Sequence, residues 1–303
     1  MMQKKWMFAL SFLLIQGEAA LEDHFKKVVG KEEVHSIRNI DFIYLINLDA
    51  REEKWEKSKA QLEAYEISPY RFSAVNGWDL TVEDLNEIGL KYTKSMKKNQ
   101  WGTCFVGEDK TPCYEIMQEG KRYFRPKMTC GMVGCLLSHL SILQDAYDSG
   151  YETIWILEDD IVVLQDPRQL SDIIDLLDEN LGKGGWDILF TDRDMLRTQG
   201  YNPCKGWSER PNFTPKDPKM FKDREVINDT FRQVRARFGT HSMILRRSGI
   251  EKILHFVKKY EPFNPYDLDM YLPEGIKLFS VLHDIVRNDP GSASDTLENL
   301  LLQ

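Results

Sequence analysis

Cysteine is scarce and unevenly placed: Cys104, Cys113, Cys130, Cys135 and Cys204 are the five in 303 residues. No two stand in C-x-x-C spacing, which excludes the paired-cysteine zinc site. The odd count excludes a framework in which every cysteine is bridged within the chain. In an exported protein some would pair, and the segment Cys104–Cys113, with Gly107 and Pro112 inside it, reads as a loop that a bridge could staple. Positive charge is also in deficit. Forty Lys and Arg against 48 Asp and Glu leave a net charge of −8. That argues against nucleic acid or an anionic membrane as the main partner. An anionic small substrate stays open, because a bound divalent metal can supply the positive charge. No internal repeat and no low-complexity segment is visible. After residue 15 no apolar run approaches the roughly 20 residues of a membrane helix, so no stable transmembrane span is expected. The tail, Leu301-Leu302-Gln303, carries no standard retrieval signal.

What is present begins with a targeting segment. Lys4-Lys5 form a basic start, Trp6–Ile15 an uncharged apolar run, and Gly17-Glu18-Ala19-Ala20 a small-residue stretch. This is the three-part layout of a secretory signal. Residues 1–19 are therefore expected to be removed and the chain to enter a secretory pathway: the endoplasmic reticulum lumen in a eukaryote, or an exported or membrane-associated state in a bacterium. An uncleaved anchor is the alternative. Residues 20–39 are a charged lead, and residues 40–303 are long enough for one domain with a sizeable core.

Phe42–Ile46 is an apolar, β-favouring run without polar alternation, as in a strand covered on both faces. Asp49 can cap a following helix through Trp55, Leu62 and Tyr65. Arg71–Val75 reads as a second strand, closed by Asn76-Gly77. The spacing predicts a helix over Cys135–Tyr147, a buried strand over Thr153–Leu164 and a third over Trp186–Phe190. A strand at Ser242–Leu245 and a helix at Gly249–Tyr260 follow. Strands alternating with helices imply an α/β fold with a mostly parallel sheet. Residues 91–127 and 191–237 are polar and irregular and read as insertions. The second holds two glycosylation sequons, Asn212-Phe213-Thr214 and Asn228-Asp229-Thr230.

Glu158, Asp159 and Asp160 directly follow Ile154-Trp155-Ile156-Leu157. Three adjacent carboxylates at the end of a buried strand repel one another and are costly to bury. A cation at an open site would explain them. Residues two apart in extended chain share a face, so Glu158 and Asp160 can address one metal, and oxygen ligands of this kind suit Mn²⁺ or Mg²⁺. The knot stands where open α/β sheets bind ligands, beyond the carboxyl ends of strands. A solvated turn carrying three surface acids is the plain alternative.

Four separated blocks resemble the family 25 glycosyltransferases, which include lipopolysaccharide sugar transferases and collagen galactosyltransferases. They are Ile43–Asp49 with Arg51, Arg71 and Ala74–Gly77; Gly131–His139; Ile156–Asp160; and Gly239-Thr240-His241 with Asp269–Pro273 and Ser294–Thr296. The resemblance implies a GT-A-type nucleotide-sugar-binding fold and inversion at the anomeric carbon. It implies a nucleotide-sugar donor, with galactose as the expected sugar, and a glycan or glycoprotein acceptor. It makes the acidic triplet the family's metal motif. One departure stands out: where the family has Glu after the first glycine of the second block, this chain has Met132.

On this reading Glu158 and Asp160 hold the metal. Asn47, Arg51, Gly131, Gly134, Ser138, His139 and Asp159 line the donor side. Asp269 is the expected acid or base near the acceptor, with Asp267 as its possible partner and Asp295 as a weaker candidate. Each has a plainer role open to it: Asn47 as a helix cap, Gly131 and Gly134 as packing positions, His139 as a satisfied structural histidine. Trp155 and Trp186 read as core, and Trp207 as a guess at an acceptor-stacking residue. Two other classes compete. An exported non-catalytic binding protein that kept the fold would suit Met132, and a metal-dependent hydrolase could use the same carboxylates.

Overall fold

The computed structural model describes residues 21–31 and 37–297. The expected signal segment, residues 1–19, lies outside the described residues, as does part of the charged lead. Strand β1 (Phe42–Asn47) is buried along its whole length. Its side chains divide by parity. Phe42, Tyr44 and Ile46 enter one apolar cluster, and Ile43 and Leu45 the other. A strand with both faces covered needs no polar alternation. Helix α1 (Glu52–Glu63) carries Glu52 and Glu53 in its first turn, where the helix dipole favours them. Strand β2 (Tyr70–Ser73) returns parallel to β1.

The stretch 91–127 is more ordered than its composition suggests. It contains an antiparallel hairpin of β3 (Trp101–Val106) and β4 (Thr111–Ile116), with Cys104 directly opposite Cys113. Both thiols are free. Trp101, Val106, Tyr114 and Ile116 are exposed there, so the pattern in sequence is not that of a half-buried strand.

Helix α2 (Cys130–Asp148) starts five residues before the expected Cys135, because Thr129 caps it by accepting from the Met132 amide at 3.1 Å. Leu136, Leu140 and Leu143 are fully buried, whereas Tyr147 is exposed. The expected strand Thr153–Leu164 is two strands. β5 (Thr153–Glu158) lies in the main sheet, and β6 (Ile161–Val163) leaves it to pair elsewhere. The break falls at Asp159-Asp160. Helix α3 (Leu170–Leu181) buries Ile174 and Leu177 against the Ile43/Leu45 face. Strand β7 (Ile188–Phe190) follows.

The stretch 191–237 also does more than decorate the core. It supplies two strands of the main sheet, β8 (Arg224–Val226) and β9 (Phe231–Val234). Both are short and polar, and only Phe231 and Val234 of β9 are buried. Strand β10 (Ser242–Arg246) leads into helix α4 (Arg247–Tyr260), whose Ile250, Ile253, Leu254 and Val257 face the core. The short helix α5 (Tyr266–Asp269), β11 (Leu278–Val281) and β12 (Val286–Asn288) follow.

The sheet order is β8-β9-β11-β7-β10-β5-β1-β2. The β5-β1-β2 unit is parallel, as is the β11/β7 pair. β10 runs antiparallel between β5 and β7, and β8 and β9 are antiparallel at the edge. The mixed eight-stranded sheet with helices on both faces fits a GT-A-type α/β fold. Trp155 and Trp186 lie in the core as expected.

Candidate active site

The acids gather where β5 ends. Glu158 is its last residue and Asp159-Asp160 turn out of the sheet beyond the carboxyl edge of β1, β2 and β5, the usual ligand position in such sheets. Two adjoining cavities meet there. A cleft of about 620 Å³ is lined by Glu158, Asp160, Asp267, Arg125 and Arg197. A smaller cavity of about 100 Å³ that opens to solvent is lined by Glu158, Asp159, Asp160, Lys54 and Trp78.

Each acid has a different environment. Glu158 Oε1 lies 3.0 Å from His139 Nε2 and accepts from the Thr240 hydroxyl at 2.5 Å. Burial alone would raise its pKa, but the bonds from His139 and Thr240 outweigh this and hold it below the ordinary glutamate value. Asp159 is pushed up to about 6, chiefly by burial, against the Asn47 amide that donates to it at 2.7 Å. Asp160 is pushed up to about 7, by burial first and then by the Glu158 charge. Its Oδ1 is buried and finds no hydrogen-bond donor among the described residues.

Asp267 and Asp269 part company. Asp267 lines the cleft and accepts from the Gly239 amide at 3.2 Å. Burial raises its pKa. Asp269 is 1% exposed and lines neither cavity. Its carboxylate is taken by the equally buried Arg210 guanidinium and by the Asn264 side chain at 2.8 Å. The geometry thus sets the first-choice residue of the sequence reading into a structural ion pair and brings its neighbour to the cleft.

The expected donor-side residues separate in the same way. Ser138 and His139 line the smaller cavity, and so does Gly131. Ser138 Oγ accepts from the Val75 amide at 2.9 Å, which ties the Ala74–Gly77 turn to α2. His139 stacks on Tyr266 with ring centroids 4.4 Å apart. Gly134 serves packing: a Cβ there would stand 2.4 Å from the Gly77 nitrogen and from the Val75 carbonyl oxygen. Gly131 has the backbone of Asp295 and Thr296 against it, and a Cβ there would stand 2.7 Å from the Thr296 carbonyl oxygen. Asn47 does not face the cavity. It is 1% exposed, donates to Asp159 and to the Arg51 carbonyl, and accepts from Arg71. Arg51 reaches the site indirectly, through Asp295 at 2.7 Å. Asp295 also holds Lys54 at 2.6 Å and lines the cavity.

Several contributors had no role in the sequence reading. Lys54 and Trp78 line the smaller cavity. Thr240 and His241 stood in a recognised block, and the fold gives them work: Thr240 on Glu158, and His241 lining the cleft while its Nε2 lies 3.0 Å from Asp192. Asp192 is completely buried and also bound by Arg237 at 2.5 Å. Trp207 lies in a separate cavity with Tyr201 and Tyr271.

An acidic knot at the carboxyl edge of a parallel strand unit, between a cavity and a wider cleft, fits a GT-A-type protein. The family model described as glycosyltransferase family 25 (LPS biosynthesis protein) matches residues 40–272. The chain belongs to this family. It is 28% identical over 174 residues to a glycosyltransferase 25 family member of Aedes aegypti, covering 57% of this chain and 24% of that one. It is 26% identical over 160 residues to procollagen galactosyltransferase 1-B of Xenopus laevis, covering 52% and 22%. It is 25% identical over 167 residues to the inactive glycosyltransferase 25 family member 3 of Homo sapiens, covering 55% and 24%. The matches thus span about a quarter of the length of these relatives. No helix among the described residues is long and apolar enough to cross a membrane.

Proposed function

We propose that the chain is a metal-assisted glycosyltransferase that moves a sugar, galactose first among candidates, from a nucleoside-diphosphate donor to a glycan or protein-linked hydroxyl, with inversion. The observation that carries this is the meeting of Glu158, Asp160 and Asp267 in one cleft beside a smaller cavity. The donor set fits a divalent cation: Asp160 has a buried carboxylate oxygen without a donor among the described residues, and Glu158 faces the same space. Mn²⁺ or Mg²⁺ held by Glu158 and Asp160 would supply charge to screen the leaving diphosphate. In this reading the nucleoside lies in the smaller cavity, between the apolar wall of Ile46, Leu48 and Val75 and the Trp78 ring. Lys54, anchored by Asp295, faces the phosphates. His139 and Thr240 fix Glu158, and Asn47 fixes Asp159.

Asp267 is the proposed general base. Its raised pKa makes it a stronger base than an exposed aspartate, and it stands on α5, lining the same cleft as Glu158 and Asp160. It would take the proton of the acceptor hydroxyl as that oxygen attacks the face opposite the leaving group. Entry into a secretory pathway belongs to this reading and is supported by Lys4-Lys5 and the apolar run that follows.

A second reading has a specific observation behind it. Met132 lines the cleft at the position where the family carries Glu, and the human relative above is named inactive. A binding protein that kept the fold would bind a donor and turn nothing over. Incubation with UDP-galactose, Mn²⁺ and a panel of glycan and glycopeptide acceptors separates the two. Acceptor-dependent release of UDP supports transfer. Donor binding without release under any acceptor supports the binding protein. Acceptor-independent hydrolysis at the full rate contradicts both.

A further inference from the structure

Cys135 and His139 stand four residues apart on α2 and so share one face of the helix. Glu158 meets them from the end of β5. Cys135 Sγ, one ring nitrogen of His139 and one carboxylate oxygen of Glu158 all lie within 4.8 Å of one another. Two of the three are held in place: His139 is stacked on Tyr266, and Glu158 is bound by Thr240. Cys135 lines both the cleft and the smaller cavity, so an ion from solvent reaches its sulfur without any opening of the core.

We propose that Cys135, His139 and Glu158 form a site for a thiophilic divalent cation, zinc above all, with its fourth position open to the cleft. The ligand types are those of zinc: thiolate, imidazole and carboxylate, with bonds of about 2.0–2.3 Å. Two ligands on a tetrahedral ion with such bonds stand roughly 3.3–3.8 Å apart. No pair exceeds 4.8 Å, and His139 Nε2 and Glu158 Oε1 are already 3.0 Å apart, so shifts of no more than about 1 Å, within the reach of side-chain rotation, bring the three atoms to that spacing. Three protein ligands and one open position is the pattern of accessible rather than purely structural zinc. The sulfur sets this site apart from an oxygen-only pair such as Glu158 and Asp160, which suits hard ions. Glu158 belongs to both sets. A zinc ion on Cys135 and a hard ion on Asp160 would therefore compete for one carboxylate, and occupancy would follow the relative supply of the two metals.

The test is Co²⁺ titration of the reduced full chain, followed by absorbance. The expected result is a sulfur-to-cobalt charge-transfer band that saturates at about one equivalent and is displaced by Zn²⁺. Cys135→Ser should remove the band, and His139→Gln, which removes a direct ligand, should weaken Co²⁺ binding by more than the roughly 10–100-fold lost with an outer-shell partner. The Cys104→Ser/Cys113→Ser double variant should keep the band, because that hairpin pair lies on β3 and β4. A measurement without any variant guards against misfolding: Zn²⁺ should protect Cys135 from alkylation, read by peptide mass. A wild-type protein with no band, a band that survives Cys135→Ser, or alkylation of Cys135 unaffected by Zn²⁺ would overturn the site. No activity enters these readouts. A chain with the band but no sugar transfer keeps the zinc site and counts only against the transferase reading.

Discussion

Asp267 and Asp269 are separated by one residue on the short helix α5, yet Asp267 lines the cleft while Asp269 is sealed against Arg210. Their amide variants should behave in opposite ways. Asp267→Asn removes the proposed base and should lower transfer on the order of 10²–10⁴-fold, with donor affinity and thermal stability kept. Asp269→Asn leaves the buried Arg210 charge without its partner. Breaking such a pair costs about 3–5 kcal/mol, so the melting temperature should fall sharply. Thermal denaturation and transfer assays on the same two proteins check both. Loss of transfer in Asp269→Asn without loss of stability would return the base to that residue.

The pH dependence of metal binding follows from the knot. Asp159 and Asp160 are raised to about 6 and about 7, mainly by burial. A cation held by Asp160 binds its ionised form and is drawn by an ionised Asp159 beside it, so Mn²⁺ affinity should rise between about pH 5 and pH 8 and level off above. The sign for stability is the reverse. A carboxylate whose folded pKa lies above its unfolded value binds more protons when folded, so its contribution falls as pH rises through the window from about 4 to about 7. Metal-free wild type should therefore lose stability relative to Asp160→Asn across that window, by up to about 1.4 kcal/mol per pH unit. Denaturant melts of both proteins at several pH values in chelator measure it. A constant difference between the two would contradict the raised pKa.

Backbone packing under the smaller cavity gives a prediction that involves no chemistry. A Cβ on Gly77 would stand 1.8 Å from the Cys130 carbonyl oxygen, and one on Gly134 would meet the Gly77 nitrogen. Gly77→Ala should force the Ala74–Gly77 turn off α2 and cost at least the roughly 1–3 kcal/mol of an overpacked core. Gly150→Ala is the control for a surface turn. Gly150 has open space around it but a φ of 74°, so its cost is backbone strain alone, about 1 kcal/mol. Comparable melting temperatures for the two variants would contradict the close approach.

The sequence was most legible where one physical rule dominates. Phe42–Ile46 and Ile154–Leu157 read as covered strands because both faces are apolar, and the knot reads as a candidate site because three acids at a strand end need a reason. It was least legible where pairing is not written in alternation. β8 and β9 are short and polar, and β10 reverses direction after the 191–237 excursion, so the antiparallel half of the sheet has no local signature. Which of Asp267 and Asp269 is sealed in the core depends on Arg210, some sixty residues earlier in the chain, whose charge marks the buried partner only once the fold brings the two together. Asn47 ends β1 beside the knot, but its side chain supports Asp159 rather than facing the cavity.

The most direct test of the account is calorimetric titration of uridine diphosphate into the full chain, with Mn²⁺ and with chelator, on wild type and Asp160→Asn. The account predicts binding that Mn²⁺ tightens by at least about tenfold, or 1.4 kcal/mol, and that Asp160→Asn loses this gain. Equal affinity in chelator, or an Mn²⁺ effect that persists in Asp160→Asn, would contradict it.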